Sequence, residues 1–191
     1  MAWTAPQTWV TGQIVTAADM NTDIRDNVGY LGGLKRNGTV LSSLGASSEL
    51  LGNYGCRAYN TSNITASNTT WTNLTFNTES WDSGTIHDIG SNTQNFTVPV
   101  AGKYLVRASV YWAANSTGLR QIRVTNGGTA TGEVGTTVGS SNAFSQQYMD
   151  VVSCSASDVL VFQVWQSSGG NLDVQQVTTY GISAAVIWIG V

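Results

Sequence analysis

An alternation of side chains in the second half of the chain is the strongest constraint on its fold. Between Tyr104 and Ala114, one set of alternate positions is apolar throughout: Tyr104, Val106, Ala108, Val110, Trp112 and Ala114. Successive side chains of a β-strand point to opposite faces, so this pattern predicts a strand with one face in a core. Helix signals are missing from Cys56 onward. The sequence therefore predicts a mainly β domain that begins at Cys56.

Turn residues divide the rest of this region into further short strands. The segment Gln121–Thr125 leads into Asn126-Gly127-Gly128, and Asn-Gly supplies the positive φ angles of a tight hairpin. Strands are also predicted at Phe144–Val152, Val159–Trp165 and Tyr180–Val191. Several short strands with no helices between them are typical of a β-sandwich or a barrel.

The last two predicted strands are apolar on both faces. Val159, Val161 and Trp165 alternate with a second apolar set, and the final strand repeats this arrangement. A small sandwich covers only one face of each sheet, so a second apolar face predicts cover by another subunit. The residues predicted for this subunit interface are Tyr111, Leu160, Phe162, Val164, Ile187 and Ile189.

Charge is scarce, and this limits the possible partners. Charged residues make up 10% of the 191 residues, and the net charge is −3. Eight basic residues cannot form the clustered surface that neutralises phosphates, so nucleic acid is not an expected partner. The longest apolar stretch, Ile182–Val191, is too short to span a membrane. The residues Met1–Pro6 lack the basic and apolar regions of a signal peptide, so secretion by that route is not expected.

The N-terminal segment differs from the rest of the chain. Trp3 and Trp9 lie in an arm that could fold back on its own domain, but large aromatic anchors of this kind suit a partner's pocket. Apolar residues at spacings of three and four then predict an amphipathic helix that ends at Gly32-Gly33. Such a short helix is only marginally stable in water, so its stripe of apolar side chains must pack against copies of itself or against another protein. The predicted attachment residues are Trp3, Trp9, Met20, Ile24, Val28 and Leu31.

These patterns divide the chain into three parts. Residues 1–33 form the arm and attachment helix, and residues 34–55 form a Gly/Ser-rich linker without a sustained period. Residues 56–191 form the β domain.

The segment from Phe96 to Val106 resembles a known family. It reads Phe96-Thr-Val-Pro99-Val-Ala-Gly102-Lys-Tyr104-Leu-Val106. This is similar to the central signature of the jelly-roll domains shared by tumour necrosis factor and the globular head of the first complement component. Flanking motifs agree in order, among them Trp81-Asp82, Asn126-Gly127 and Ser157-Asp158. The resemblance covers residues 56–191 and implies a ten-stranded, two-sheet jelly-roll sandwich that assembles as a trimer.

A second resemblance concerns the N-terminus. The segments Thr8-Trp9-Val10-Thr11-Gly12-Gln13 and Ile24-Arg25-Asp26-Asn27 are similar to the openings of bacteriophage and prophage virion proteins, where they act as attachment segments. Together the two resemblances imply a homotrimeric knob in the virion, a capsid decoration protein or head fibre bound to the major capsid protein or another virion protein. The alternative is a tail-tip or fibre module that recognises host surface glycans.

One cluster of ionisable side chains is a candidate ligand or metal loop. Catalysis by a nucleophilic triad would need its histidine beside an activated Ser or Cys, and Ser83 or Cys56 could serve only by coincidence, so no enzyme is expected. The acids could bind calcium through oxygen ligands, although no cofactor is required. Alternatively, Asp82 and Asp88 could cap turns in a solvated loop. The candidate loop comprises Glu79, Trp81, Asp82, His87 and Asp88, of which all but Trp81 are ionisable.

The tryptophans and cysteines allow two further interpretations. Trp71 and Trp81, with Tyr111, could stack on saccharides at a host surface. Alternation instead places Trp112, Trp165 and Trp188 in the core. Cys56 and Cys154 cannot build a zinc site or a disulfide framework, so two buried thiols or at most one bridge are expected.

Overall fold

The computed structural model describes residues 11–12, 14, 16–20, 54–177 and 181–190, with the backbone alone at 19 and 20. The chain divides into two units, Met1–Leu51 and Gly52–Val191. In the first unit, the described residues hold the helix α1, Ala17–Met20, which coincides with the first turn of the predicted helix. The other attachment residues lie outside the described residues, namely Trp3, Trp9, Ile24, Val28 and Leu31.

The described part of the second unit consists of strands. They are β1 Gly55–Tyr59, β2 Ile64–Ala66, β3 Thr72–Asn73, β4 Thr78–Ser83, β5 Asn95–Thr97, β6 Gly102–Trp112, β7 Leu119–Asn126, β8 Thr129–Thr137, β9 Phe144–Cys154, β10 Val159–Gln166, β11 Leu172–Val174 and β12 Ser183–Gly190. The described residues form twelve strands and not the expected ten, because some are short pieces beside a longer strand. Thus β3 and β5 pair with successive parts of β10.

The strands form two antiparallel sheets. A seven-stranded sheet has the order β2, β11, β6, β12, β1 and β4, and β9 pairs with β6. A five-stranded sheet has the order β3, β10, β7 and β8, and β5 pairs with β10. Both sheets turn one side toward a shared core, so the predicted two-sheet sandwich is confirmed.

Strand β6 follows the alternation that the sequence predicts. The inward set is fully buried and comprises Tyr104, Val106, Ala108, Val110 and Trp112. The strand ends at Trp112, and Ala114, which continues the pattern in the sequence, is exposed. From the other sheet, Phe162 meets this core and lies edge-on to Phe96 at 5.5 Å between ring centroids.

The predicted hairpin connects β7 and β8, with its turn one residue later than expected. Gly127 and Gly128 have φ angles of 55° and 86°, and Asn126 pairs with Thr129 at the end of the ladder. Two successive residues with positive φ are what a tight hairpin turn requires, and glycine adopts them without steric cost. Strand β8 itself was not predicted, because its Thr, Gly and Ala residues show no apolar alternation.

The prediction for β10 is wrong about which side of the strand faces outward. Leu160, Phe162 and Val164 are fully buried within one subunit, so they are core residues and not part of a subunit interface. The outward set is Val159, Val161, Gln163 and Trp165. Within Val159–Trp165 the only polar residue of either set is Gln163, so alternation distinguished the two faces poorly.

Candidate functional site

The predicted ionisable loop is built around a buried histidine. His87 is 5% exposed, its Nδ1 lies 2.9 Å from Glu79 Oε1, and its Nε2 lies 3.0 Å from the carbonyl oxygen of Thr93. A neutral imidazole has one N–H and cannot donate to both oxygens, so full hydrogen bonding requires one more proton on the ring or on Glu79. Neither contact is a Ser or Cys side chain, so this geometry does not activate a nucleophile.

The two aspartates of the loop accept backbone hydrogen bonds. Asp82 accepts from the N–H groups of Ile86, at 3.1 Å, and His87, at 2.9 Å. Asp88 accepts from the N–H of Gly90 at 2.7 Å. Turn capping is therefore confirmed for both carboxylates. Within the described ranges, no group of three or more His, Cys, Asp or Glu side chains could hold a metal ion.

The cysteines are confirmed as two buried, free thiols. Cys56 is fully buried and Cys154 is 8% exposed. Burial raises the pKa of Cys56 well above its ordinary range. Burial, with the nearby charge of Asp158, also raises the pKa of Cys154 to about 11. The thiolate is the nucleophilic form, so neither side chain is poised for covalent chemistry.

A buried arginine was missed as a site residue. Arg120 is fully buried and donates to the carbonyl oxygens of Thr117 at 2.9 Å, Leu119 at 3.1 Å and Asn115 at 3.4 Å. Its guanidinium carbon lies 5.6 Å from the ring centroid of Trp112, and burial lowers its pKa. The sequence could have indicated this burial, because Arg120 shares alternate positions of β7 with the core residues Ile122 and Val124. Arg120 fixes the loop between β6 and β7.

The outward side of the seven-stranded sheet carries a band of apolar side chains. Val151, Leu105 and Ile187 stand side by side on β9, β6 and β12. Met149, Val151 and Ile189 are 68%, 50% and 51% exposed. The row from Val151 to Ile187 is continuous and apolar, whereas Arg107 and Arg57 lie between Met149 and Trp81 in the neighbouring row. An exposed apolar patch is typical of an interaction surface. We call this band the apolar face; it comprises Trp81, Leu105, Met149, Val151, Ile187 and Ile189.

Trp81 and Tyr111 both lie on the outward side of the seven-stranded sheet. Trp81 was assigned to the ionisable loop, but it is 43% exposed and is paired with Arg57 on the sheet. Its ring covers Gly55, where an added Cβ would lie 2.7 Å from ring atoms. Tyr111, predicted for the subunit interface, lies half-buried on the outward side of β6.

The outward side of the five-stranded sheet has a different chemistry. The guanidinium carbon of Arg123 lies 3.8 Å from the ring centroid of Trp71. Arg123 Nε donates to Gln163 Oε1 at 2.7 Å, and Gln163 Nε2 donates to Asn73 Oδ1 at 2.7 Å. Trp165 lies half-buried on the same side and not in the core as predicted. We call this surface the polar face; it comprises Trp71, Asn73, Gln121, Arg123, Gln163 and Trp165.

Comparisons with known proteins identify the fold. No protein-family model matches the sequence, and no curated protein matches it. The structure of murine APRIL at pH 5.0 is 10% identical with a TM-score of 0.55, and the match covers 71% of this chain and 98% of that one. The structure of murine APRIL at pH 8.0 is 11% identical with a TM-score of 0.53, and the match covers 71% of this chain and 98% of that one.

The globular domain of zebrafish complement 1qA also matches. It is 13% identical with a TM-score of 0.49, and the match covers 71% of this chain and 96% of that one. The described domain is a two-sheet jelly roll that is similar in fold to the murine APRIL structures. At these identities the likeness is one of fold.

Among the described residues, no helix is both long enough and apolar enough for a membrane span.

Proposed function

We propose that this chain is a non-enzymatic structural protein whose jelly roll assembles as a homotrimer through the apolar face. The observation that carries the proposal is the exposure of Met149, Val151 and Ile189 in one subunit. Burying a side chain of this type stabilises an assembly by about 1.5–3 kcal/mol when burial is complete. The number of subunits comes from the jelly-roll family that the sequence resembles, in which compact trimers are usual.

Analytical ultracentrifugation of the full chain tests the assembly. The expected result is a single species with three times the 20.2 kDa mass of one chain at micromolar concentration. A monomer at that concentration would contradict the proposal, and a stable dimer would contradict the number of subunits.

Two observations support a role without catalysis. The ring nitrogens of the buried histidine contact a carboxylate and a backbone carbonyl, and both thiols are buried with raised pKa values. In the described part of the chain, the histidine is therefore engaged by hydrogen bonds and neither thiol is poised as a nucleophile. The exposed residues of the two sheets are suited to binding.

We further propose that the trimer is part of a bacteriophage virion, as a capsid decoration protein or head fibre. The support is the N-terminal sequence, whose aromatic arm and apolar stripe resemble phage attachment segments. In this arrangement residues 1–33 bind the major capsid protein or another virion protein. The jelly roll then projects from the particle.

Substitution of the stripe in the full chain tests the attachment. Ile24→Asp with Val28→Asp places two charges on the predicted apolar side, and we expect loss of binding to virus particles that lack their own copy of the protein. The control, Ile89→Asp, changes an exposed apolar residue of the jelly roll and should bind normally. If the double variant still decorates particles and is folded by circular dichroism, the attachment proposal is wrong.

A further inference from the structure

We propose that the polar face binds an acidic oligosaccharide. This inference does not depend on the virion role or on the number of subunits. It starts from the difference between the two outward sides of the sandwich. The apolar face suits another protein surface, whereas the polar face combines tryptophan rings with planar amides and a single arginine.

The two tryptophans lie close together on the polar face. In the antiparallel register between β3 and β10, Gln163 pairs with Asn73 and Val164 with Thr72. Trp71 directly precedes Thr72, and Trp165 directly follows Val164, so both rings lie at the same end of this pairing. Both side chains are half-buried. A partly exposed Trp offers a rigid apolar plane with a polar edge, which is the shape that stacks on a sugar ring.

Hydrogen bonds fix the orientation of the groups beside these rings. Gln163 accepts from Arg123 Nε and donates to Asn73, each at 2.7 Å. Arg123 is also held against the ring of Trp71. A preorganised row of amides loses little conformational entropy when it exchanges hydrogen bonds with the hydroxyl groups of a ligand.

The charge of Arg123 selects an acidic ligand. Its Nε is used by Gln163, and its two Nη atoms have no hydrogen-bond partner among the described residues. Glu133 is its register partner on β8, but that carboxylate accepts from Gln121 at 3.4 Å instead. A guanidinium with two free N–H₂ groups matches the two oxygens of a carboxylate.

Other ligand classes fit the polar face less well. Nucleic acid requires several clustered Lys and Arg side chains, and Arg123 is the one cation among the six residues of this face. A protein partner would be expected to cover a contiguous apolar patch. A sugar chain that carries carboxylates uses the ring of Trp165, the amides and the guanidinium together.

A glycan array probed with the labelled full chain is the first test. It should contain uronate-bearing and sialylated glycans, each beside a neutral counterpart, and a single-stranded DNA control. We expect binding to carboxylate-bearing glycans that weakens as salt concentration rises. Binding to none of them, to neutral glycans alone, or preferentially to DNA would overturn the proposal.

Titration in solution with the strongest acidic glycan of the array then locates the site. Trp165→Ala and Arg123→Gln should each lower affinity about tenfold or more, and Trp165→Tyr should retain most of it. Gln163→Ala removes an amide and no aromatic ring, and it should also lower the affinity. Its matched control is Gln147→Ala, which should leave the affinity unchanged, since Gln147 is an exposed glutamine on the other sheet that accepts a hydrogen bond from Arg107.

The outcomes separate the polar face from the rest of the surface. Circular dichroism checks that each variant is folded. If folded Trp165→Ala and Arg123→Gln bind like the unchanged chain, the site is not on the polar face and the proposal fails. It also fails if Trp81→Ala abolishes binding while Trp165→Ala does not.

Discussion

Gly118 lies at a point where two loops approach too closely for any side chain. Its φ angle is +82°, and an added Cβ would lie 2.0 Å from the carbonyl oxygen of Ser167. Hydrogen bonds hold the two segments together, since Leu119 N donates to Ser167 Oγ at 2.9 Å and Ser167 N donates to Leu119 O at 3.1 Å. Neither segment can move away without breaking these bonds.

We therefore expect Gly118→Ala to lower the free energy of unfolding by about 3 kcal/mol or more, because it adds both a positive-φ strain and a backbone clash. Urea denaturation measures the change. Gly139→Ala is the matched control, since an added Cβ there meets no atom within 4 Å, and its effect should stay within about 0.5 kcal/mol. Equal effects of the two substitutions would contradict the argument.

The thiols allow a second prediction at the scale of single residues. Cys56 and Cys154 are buried, and a protonated thiol inside a core reacts slowly. We expect no reaction of the native protein with a disulfide reagent such as Ellman's reagent, and reaction of both thiols after unfolding in guanidinium. Rapid modification of the native protein would show that the core around β1 or β9 opens.

At the scale of elements, a carboxylate joins the β7–β8 hairpin to the turn before β10. Asp158 Oδ2 accepts from Asn126 Nδ2 at 2.6 Å and from Ser155 N at 2.9 Å. These two hydrogen bonds hold the pKa of Asp158 below its ordinary value. A carboxyl with a lowered folded-state pKa stabilises the fold above its unfolded pKa, and this stability is lost as pH falls through the folded value.

Asp158→Asn should accordingly make the free energy of unfolding depend less on pH in the acid range, below about pH 4. Denaturation at several pH values in this range measures the dependence. Asn126→Ala should change it in the same direction, because it removes the shorter of the two hydrogen bonds. If both variants keep the pH dependence of the unchanged chain, the hydrogen bonds do not favour the ionised form.

The elements also show how far the sequence alone could lead. Strand β6 was predictable because its outward set includes the polar residues Arg107 and Ser109. In β10 both sets are apolar, so only pairing with β7 decides which side is buried. Asp82 and Asp88 were predictable as turn caps because each accepts from a residue within five positions along the chain.

The polar face could not be predicted from local patterns. Its hydrogen bonds join residues 40 and 90 positions apart, Arg123 with Gln163 and Gln163 with Asn73. Their side chains meet only through the register of β3, β7 and β10. A half-buried tryptophan such as Trp165 also has the same sequence signature as a core tryptophan.

At the scale of the whole molecule, the two outward sides of the sandwich have different chemistry. Val151 lies beside Leu105 in the apolar face and is 50% exposed, whereas Ile89 is 52% exposed in a loop. The two residues are matched in size class and exposure but differ in position. They therefore distinguish a specific interface from general surface hydrophobicity.

Val151→Glu should convert the assembled protein to monomers, because a carboxylate buried between subunits without a partner is strongly unfavourable. Ile89→Glu should leave the mass unchanged. Size-exclusion chromatography with light scattering measures both. If Val151→Glu remains assembled, subunit contacts do not include this part of the sheet.

The apolar face and the polar face lie on opposite sides of one sandwich, so covering the first leaves the second open. An assembly of three chains would therefore display three copies of Trp165 and Arg123 around its outside. Weak single contacts with a repeating sugar chain then act together, and linked sites of this kind can raise overall binding by about 10²–10⁴-fold without any new contact. In the proposed trimer, avidity, and not the affinity of one site, would govern binding to a surface coated with the proposed acidic glycan.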